Sequence, residues 1–424
     1  MGNINMETTC KFKMLPNTTH IFSAINTQTA HKSMSILTKP LFSLRSIISL
    51  RTVKHLVWCL LLACYFLQVP FRLLSRFITI FAFVFLLLTY KDWLRLFRKP
   101  LFCLYGAYLA VSALVSAFNP NTSVSKVIRF SEIFLTIPMF FCIDVVSDEK
   151  FYAKAIVRIA MLKAVVIFII YGIVIQTGSY AAVRAYGHQN GWGDVYTFGS
   201  VFLTRVQLQG NALLVMACFT AFYIKDRVPY KLALLAACLI AGNKAFLIGL
   251  FLFALYGLFS WAFNVKKLYG LYLKIGLLML CAMLVAPVMM EKVNSILEEK
   301  AGYSNVVRKD QAEVLLSGNI ITGNGVGNTI VAKTAYRDYT DADYFEVQTL
   351  YVINQIGIFG YLLFLVLTFG LCMDRKNAYF LCFVYFTYLA YTFFNPYCFD
   401  TTHMMTGFLI CSIFSANNKE RVLK

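Results

Sequence analysis

The chain has 424 residues, of which 59% are hydrophobic and 14% charged, and its mean hydropathy is +0.67. Soluble domains carry roughly 25% charged residues, so this composition excludes a set of water-soluble domains and predicts a multi-span membrane protein. The net charge of +19 does not indicate nucleic acid, because much of the Lys and Arg lies between apolar runs, where basic residues set orientation. An anionic lipid or a phosphate ligand is the alternative explanation for the basic residues that lie elsewhere.

The first 50 residues form a polar tail without an apolar core long enough for a signal peptide. We predict a cytoplasmic tail over 1–50, either disordered or partly lying on the membrane surface as an amphipathic helix over 41–52. The start of translation is either Met1 or Met34, because the residues before Met34 show no structural pattern.

Apolar runs recur from residue 55 onward and predict a transmembrane domain over 51–416, followed by a basic cytoplasmic tail over 417–424. The expected fold is all-α and polytopic, because a helix of about 20 apolar residues spans a bilayer. The twelve transmembrane helices are expected at 55–71, 73–90, 101–118, 127–146, 154–176, 206–224, 230–241, 246–263, 267–288, 350–372, 377–394 and 402–416.

The short connections between these helices predict the orientation of the chain. If the N-terminus is cytoplasmic, the basic segments 91–100, 225–231, 266–267, 375–376 and 419–424 all lie on the cytoplasmic side. Both termini are then cytoplasmic, and the two long connections at 177–205 and 290–349 face the opposite side. The second connection holds nine of the twenty acidic residues, and we expect short helices and the functional site there.

Within the long connection, a helix is expected over 305–317, with Arg308 near its start, followed by the glycine run Gly323-Asn-Gly325-Val-Gly327. This run has no preceding strand and is not a dinucleotide motif. It predicts a tight backbone passage whose peptide N–H groups are able to face an anion.

Three charged residues at the ends of apolar runs are candidates for chemistry. Glu346 precedes the helix 350–372, where partial burial would tune its pKa for general-base work; the alternative is an ordinary solvated carboxylate. Lys244 lies in a break between two apolar runs, and Arg205 lies at the start of another. Such cations are either functional or reach toward the membrane surface. No His or Cys spacing suits a metal, so neither metal nor cofactor is expected.

Three segments resemble the bacterial superfamily of O-antigen polymerases and O-antigen ligases, which are multi-span glycosyltransferases. They are Asn243-Lys244-Ala-Phe-Leu-Ile, then Arg308 with Ile-Ile-Thr-Gly323-Asn-Gly325-Val-Gly327-Asn, and then Glu346 with Leu350, Gln355, Gly357 and Gly360. These segments are similar to the family's Ser-Arg-Gly/Thr-Ala segment, its Arg with Pro-x-x-Gly-x-Gly-x-Gly-Asn, and its His-Asn-x-x-Leu…Glu-x-Gly-x-x-Gly. The outline of spans extends the likeness over most of the chain.

The resemblance implies a GT-C-like polymerase in the bacterial inner membrane, whose active site faces the periplasm. It would join undecaprenyl-diphosphate-linked oligosaccharide units, one as donor and one as acceptor, without a metal. The resemblance also implies roles for two sets of residues. The catalytic pair would be Glu346 and Arg308, and the substrate-binding residues would be Lys244, Arg205, Arg184, Lys309 and Gln348. Membrane lipid and a chain-length regulator are the further partners.

Two departures from the family pattern bear on the choice within the superfamily. Ligases have His where this chain has Glu346, which favours a polymerase, and Lys244 replaces an Arg that could grip phosphate with two parallel hydrogen bonds. An O-antigen ligase, which transfers the finished chain to lipid A-core, remains the first alternative. A lipid-linked oligosaccharide flippase is the second alternative, although the long connection and the absence of an internal repeat disfavour it.

Overall fold

The computed structural model describes residues 49–120, 122–145, 148–198, 200–242, 244–263, 304–334, 338–340, 345–393, 395 and 397–415. Within these ranges, Arg51 onward belongs to one compact unit. Three sequence-based expectations lie outside the described residues: nearly all of the N-terminal tail, the span at 267–288 and the basic tail at 417–424. The first part of the long connection, up to residue 303, lies outside them as well.

The described chain is mostly helical, with one small sheet. Its α-helices are α1 (Leu50–Leu67), α2 (Ser75–Leu88), α3 (Tyr90–Trp93), α4 (Pro100–Ala117), α5 (Val124–Cys142), α6 (Glu149–Thr177), α7 (Ala181–Gln189), α8 (Leu214–Tyr223), α9 (Val228–Ala241), α10 (Lys244–Phe263), α11 (Ser304–Leu315), α12 (Gln348–Met373), α13 (Ala378–Thr392) and α14 (Thr401–Phe408). Helix α14 continues as a π-helix over Leu409–Phe414, and strands β1 (Gly193–Phe198) and β2 (Ser200–Leu208) pair antiparallel.

Four of these helices, α1, α4, α6 and α12, are long and apolar enough to cross a membrane. The 29 residues of α6 would extend about 44 Å at the usual rise of a helix. A fifth crossing arises if Arg72–Leu88 and Tyr90–Arg98, which bend by 70° at a short break, form one span. Five further apolar helices in the described part of the chain are shorter. The fold is therefore that of a helical membrane protein.

The β-hairpin corrects the all-α expectation. A helix was expected from residue 206, but β2 continues to Leu208 and α8 begins only at Leu214. The turn between them is closed by Asn211, whose amide Nδ2 donates to the Val206 carbonyl oxygen at 2.9 Å. Gly210 adopts a φ of +81° against the Tyr65 carbonyl oxygen, which a Cβ would approach to 2.4 Å. A helix could not pass through this left-handed turn.

Ion pairs join the connection between α5 and α6 and the start of α1 with the segments 91–100 and 375–376, which the orientation analysis places on the cytoplasmic side. Arg51, at the start of α1, pairs with Asp148, just before α6. The segment after α12 reaches two more of these connections, since Asp374 pairs with Lys99 and Arg375 lies 3.3 Å from Asp144. These expected cytoplasmic connections therefore share one end of the bundle.

Candidate functional site

Two buried neighbours hold Glu346 in place at the entry to α12. Phe345 is fully buried and stacks on the Tyr351 ring at 4.6 Å, and Val347 is 4% exposed. The Glu346 side chain, which lies between them in the chain, is 20% exposed. Because both flanking side chains point into the packed interior, the carboxylate is turned toward α11 and the partly open surface.

Arg308 on α11 supplies the partner of this carboxylate. Its Nε lies 3.2 Å from Oε2 of Glu346, although Glu346 comes 38 positions later in the chain. The Arg308 side chain is 36% exposed, but its Nε atom is buried. The structure therefore brings the two expected catalytic residues together as a partly exposed ion pair.

Gln311 ties the same two segments together through the backbone. It lies three residues after Arg308 and thus on the same face of α11. Its Oε1 accepts the backbone N–H of Glu346 at 3.0 Å, and the residue is fully buried. Its Nε2 has no hydrogen-bond partner among the described residues. Gln311 was not singled out from the sequence, where a lone Gln in a polar helix carries no signal.

The hairpin carries a tyrosine on which the charges of both Arg205 and Arg308 act. Tyr196 on β1 is the cross-strand partner of Arg205 on β2. Burial raises the pKa of the Tyr196 hydroxyl to about 12, while the positive charges of Arg205 and Arg308 oppose that rise. Tyr196 thus lies within electrostatic reach of both arginines. Arg205 itself donates from Nη1 to the carbonyl oxygen of Leu239, near the end of α9.

Arg184, which was expected to bind substrate, already forms an ion pair with a carboxylate. Its Nε lies 2.8 Å from Oδ1 of Asp194, and a second nitrogen lies 3.3 Å from Oδ2. His188 also contacts Asp194, at 3.1 Å. This cluster joins α7 to β1. An arginine held on both carboxylate oxygens has less positive charge to offer a further anion.

Lys309 and Gln348 each contact residues outside the Arg308–Glu346 pair. Lys309 is 77% exposed and faces Glu313 one helical turn later, at 3.8 Å. Gln348 is buried, and its Oε1 accepts the backbone N–H groups of Cys398 and Phe399 at 3.0 and 3.3 Å. Gln348 therefore fastens the start of α12 to the connection before α14.

Lys244 begins α10, directly after the end of α9 at Ala241. Its side chain lies outside the described part of the structure. The backbone break was expected from the sequence, and the structure confirms that two helices meet there.

The glycine run forms the expected tight backbone passage, but its N–H groups are used within the protein. The N–H groups of Asn324 and Gly325 donate to the carbonyl oxygens of Asn354 and Gln355, at 2.7 and 3.1 Å. The N–H of Gly327 donates to Oε1 of Gln355 at 2.7 Å. The expectation that these groups face an anion is therefore wrong for Asn324, Gly325 and Gly327.

A second carboxylate, Asp400, lies in the connection between α13 and α14. It caps α14 by accepting the backbone N–H of Thr402 at 2.8 Å and its hydroxyl at 2.9 Å. Burial raises the pKa of this carboxyl to about 7, and the hydrogen bonds from Thr402 oppose that rise. Sequence reasoning missed Asp400 because a single Asp between two apolar runs resembles a solvated connection.

In the ranges that the structure describes, no group of three or more His, Cys, Asp or Glu residues is placed to hold a metal ion. The arrangement that does occur is a carboxylate beside a guanidinium, with the buried amide of Gln311 at the same backbone. Such a site can bind an anion at the guanidinium and accept a proton at the carboxylate.

Comparison with protein-family models, with curated proteins and with solved structures finds no match.

Proposed function

We propose that this chain is an O-antigen polymerase of the bacterial inner membrane. It joins undecaprenyl-diphosphate-linked oligosaccharide units on the periplasmic face, through a GT-C-like bundle of about twelve spans whose termini are cytoplasmic. The observation that supports this proposal best is the ion pair between Arg308 and Glu346, at 3.2 Å. These two residues come from separate motifs of the resemblance, and the fold makes them neighbours.

The proposed reaction needs one anion site and one base. A hydroxyl of the acceptor sugar attacks the anomeric carbon of the donor, and the bond from that carbon to the phosphate oxygen breaks. The diphosphate leaves with the bonding electrons, and the guanidinium of Arg308 stabilises its added charge. The carboxylate of Glu346 accepts the hydroxyl proton. Arg205 and Lys244 are proposed as further cations of the donor site.

The partial exposure of the pair supports these roles. Glu346 is 20% exposed and Arg308 36% exposed, so both can be reached from the polar side of α11 without unfolding the bundle. Arg184 and Gln348 receive weaker support as substrate residues, because Asp194 and the 398–399 backbone occupy them. Lys309 stands on the exposed face of α11 and suits only the rim of such a site.

Deleting the gene in the source bacterium and separating its lipopolysaccharide by gel electrophoresis tests the proposal. We expect the ladder to collapse to core plus a single repeat, because units would still be exported and attached but not joined. Core without any repeat would instead indicate a ligase or a flippase. An unchanged ladder would remove the protein from this pathway altogether. Plasmid-borne wild-type protein should restore the ladder.

A further inference from the structure

Two buried hydrogen-bond donors lie beside the Glu346 backbone and carboxylate. The Nε of Arg308 and the Nε2 of Gln311 are both buried, and neither has a hydrogen-bond partner among the described residues. The contact of Arg308 Nε with Glu346 is thus a close ion contact, at 3.2 Å, and not an aligned hydrogen bond. Buried donors are nearly always satisfied in proteins, so two of them at one place point to a missing acceptor.

Both donors lie beside Glu346. Oε1 of Gln311 is held by the Glu346 N–H at 3.0 Å. Because Oε1 and Nε2 are bonded to the same carbon, Nε2 must lie next to the same backbone. Arg308 and Gln311 are three residues apart and share one face of α11. A planar guanidinium and an amide N–H on one face are donors suited to the several oxygens of a phosphate.

The ion pair that joins the Glu346 carboxylate to Arg308 is weak. The pair is partly exposed on both sides, and such pairs change an equilibrium constant by less than about five-fold. A diphosphate carries more negative charge and more acceptor oxygens than one carboxylate. It can therefore compete for Arg308, while the backbone of Glu346 stays anchored between Phe345 and Val347.

We propose that Arg308 and Gln311 form an oxyanion site in which the Glu346 carboxylate stands in for a phosphate or diphosphate group until the ligand arrives. The identity of the natural ligand as a lipid-linked diphosphate rests on the proposed function. In that setting the donor diphosphate displaces Glu346 from Arg308, and only then is the carboxylate available to accept the proton of the acceptor hydroxyl. Donor binding thus precedes activation of the acceptor.

Binding of inorganic pyrophosphate to the purified full-length protein in detergent tests the proposal by titration calorimetry. Glu346→Gln keeps the backbone N–H that Gln311 holds but removes the competing charge, so we expect pyrophosphate to bind roughly two- to five-fold more tightly. Glu313→Gln is the matched control, because it removes a carboxylate from an ion pair on the same helix. In that control the affinity should change less than about two-fold.

Two further variants separate competition from a general change of charge. In an Arg308→Met background, Glu346→Gln should no longer tighten pyrophosphate, because the shared partner is gone. If Glu346→Gln does not fold, Glu346→Asp replaces it, since the shorter side chain withdraws the carboxylate from Arg308. Unchanged or weaker binding in both Glu346 variants overturns the proposal, as does an equal gain in the Arg308→Met background.

Orthophosphate, titrated in parallel, distinguishes a site for a single phosphate from one for a diphosphate. Tighter binding of pyrophosphate than of orthophosphate supports the lipid diphosphate as the natural ligand.

The experiments distinguish a failure of this inference from a failure of the proposed function. If the deletion leaves the lipopolysaccharide ladder unchanged but Glu346→Gln tightens pyrophosphate binding, the oxyanion site is supported and the polymerase function is excluded. If the ladder collapses but Glu346→Gln does not tighten pyrophosphate binding, the polymerase function is supported and the oxyanion site is excluded.

Discussion

Gly323 and Gly357 cross so closely that a Cβ added to either one would lie 2.5 Å from the backbone nitrogen of the other. Both have positive φ, at +83° and +72°, and Gly357 interrupts α12. The N–H of Ile358, just beyond the break, donates to the Ile320 carbonyl oxygen at 2.8 Å. The two residues Ile320 and Ile321, just before the glycine run, thus accept the N–H groups of Ile358 and Phe359 that the interrupted helix leaves without an acceptor of its own.

Alanine at either glycine should destabilise the protein. Gly323→Ala and Gly357→Ala combine a left-handed backbone with a backbone clash, and we expect each to lower the free energy of unfolding by more than about 1 kcal/mol. The measurement is the apparent melting temperature of the purified protein in detergent. Gly370→Ala is the control on the same helix, because a Cβ there meets nothing within 4 Å. Equal melting temperatures for all three variants would contradict the crossing.

Replacing either member of the ion pair should abolish polymerisation while the protein remains in the membrane. Arg308→Ala removes the proposed diphosphate partner, and Glu346→Gln removes the proposed base. We expect each to leave core plus a single repeat in a complemented deletion strain. Lys309→Ala should retain a ladder, because that lysine is 77% exposed and paired only with Glu313. A full ladder from both pair variants, with normal protein amounts, would exclude the assigned roles.

The sequence predicted well where a local pattern decides the structure. The helix expected over 305–317 is confirmed as α11, Ser304–Leu315, and a long helix after Glu346 is confirmed as α12. The β-hairpin was not predicted, because Val201-Phe-Leu-Thr204 is a short apolar run that periodicity alone cannot assign to a strand or a helix. Gly357 belongs to one of the motifs that carry the resemblance. Glycine is common inside membrane helices, however, so its presence in the sequence does not reveal a break in α12.

The candidate site was predictable in part for a similar reason. Arg308 and Glu346 were paired through the resemblance, and no local spacing could have shown their contact. Gln311 gains its interest only from full burial and Asp400 from a pKa that partial burial raises, and both effects arise when distant helices pack around these residues. Gln348 was expected to face substrate, but its position beside the 398–399 backbone depends on how α13 and α14 return to the start of α12.

Gln348 should affect folding more than substrate binding. Gln348→Leu leaves the buried N–H groups of Cys398 and Phe399 without their acceptor, and each such group costs about 1–3 kcal/mol. We expect a sharp loss of folded protein, measured by size-exclusion chromatography of a fluorescent fusion. Gln348→Glu keeps an acceptor oxygen and should fold better than Gln348→Leu. A well-folded Gln348→Leu protein that fails to polymerise would instead favour the substrate role.

Asp400 should make the protein less stable as the pH rises. Its pKa in the fold is about 7, against 3.8 for an ordinary aspartate, because burial disfavours the charged form. Between these two values the unfolded carboxyl has lost its proton while the folded one retains it. The folded state thus binds more protons, and this group's contribution to stability falls from about pH 4 until it levels off above pH 7.

Asp400→Asn removes this titration and keeps an acceptor for the Thr402 N–H. We expect the variant to melt at a higher temperature than the wild type at pH 8, with a smaller difference at pH 5, in detergent at constant ionic strength. Asp338→Asn should show the opposite sign, because hydrogen bonds from Thr340 lower the pKa of that carboxyl and stabilise its charged form as the pH rises. If the Asp400→Asn difference is the same at both pH values, burial does not shift the Asp400 pKa as described.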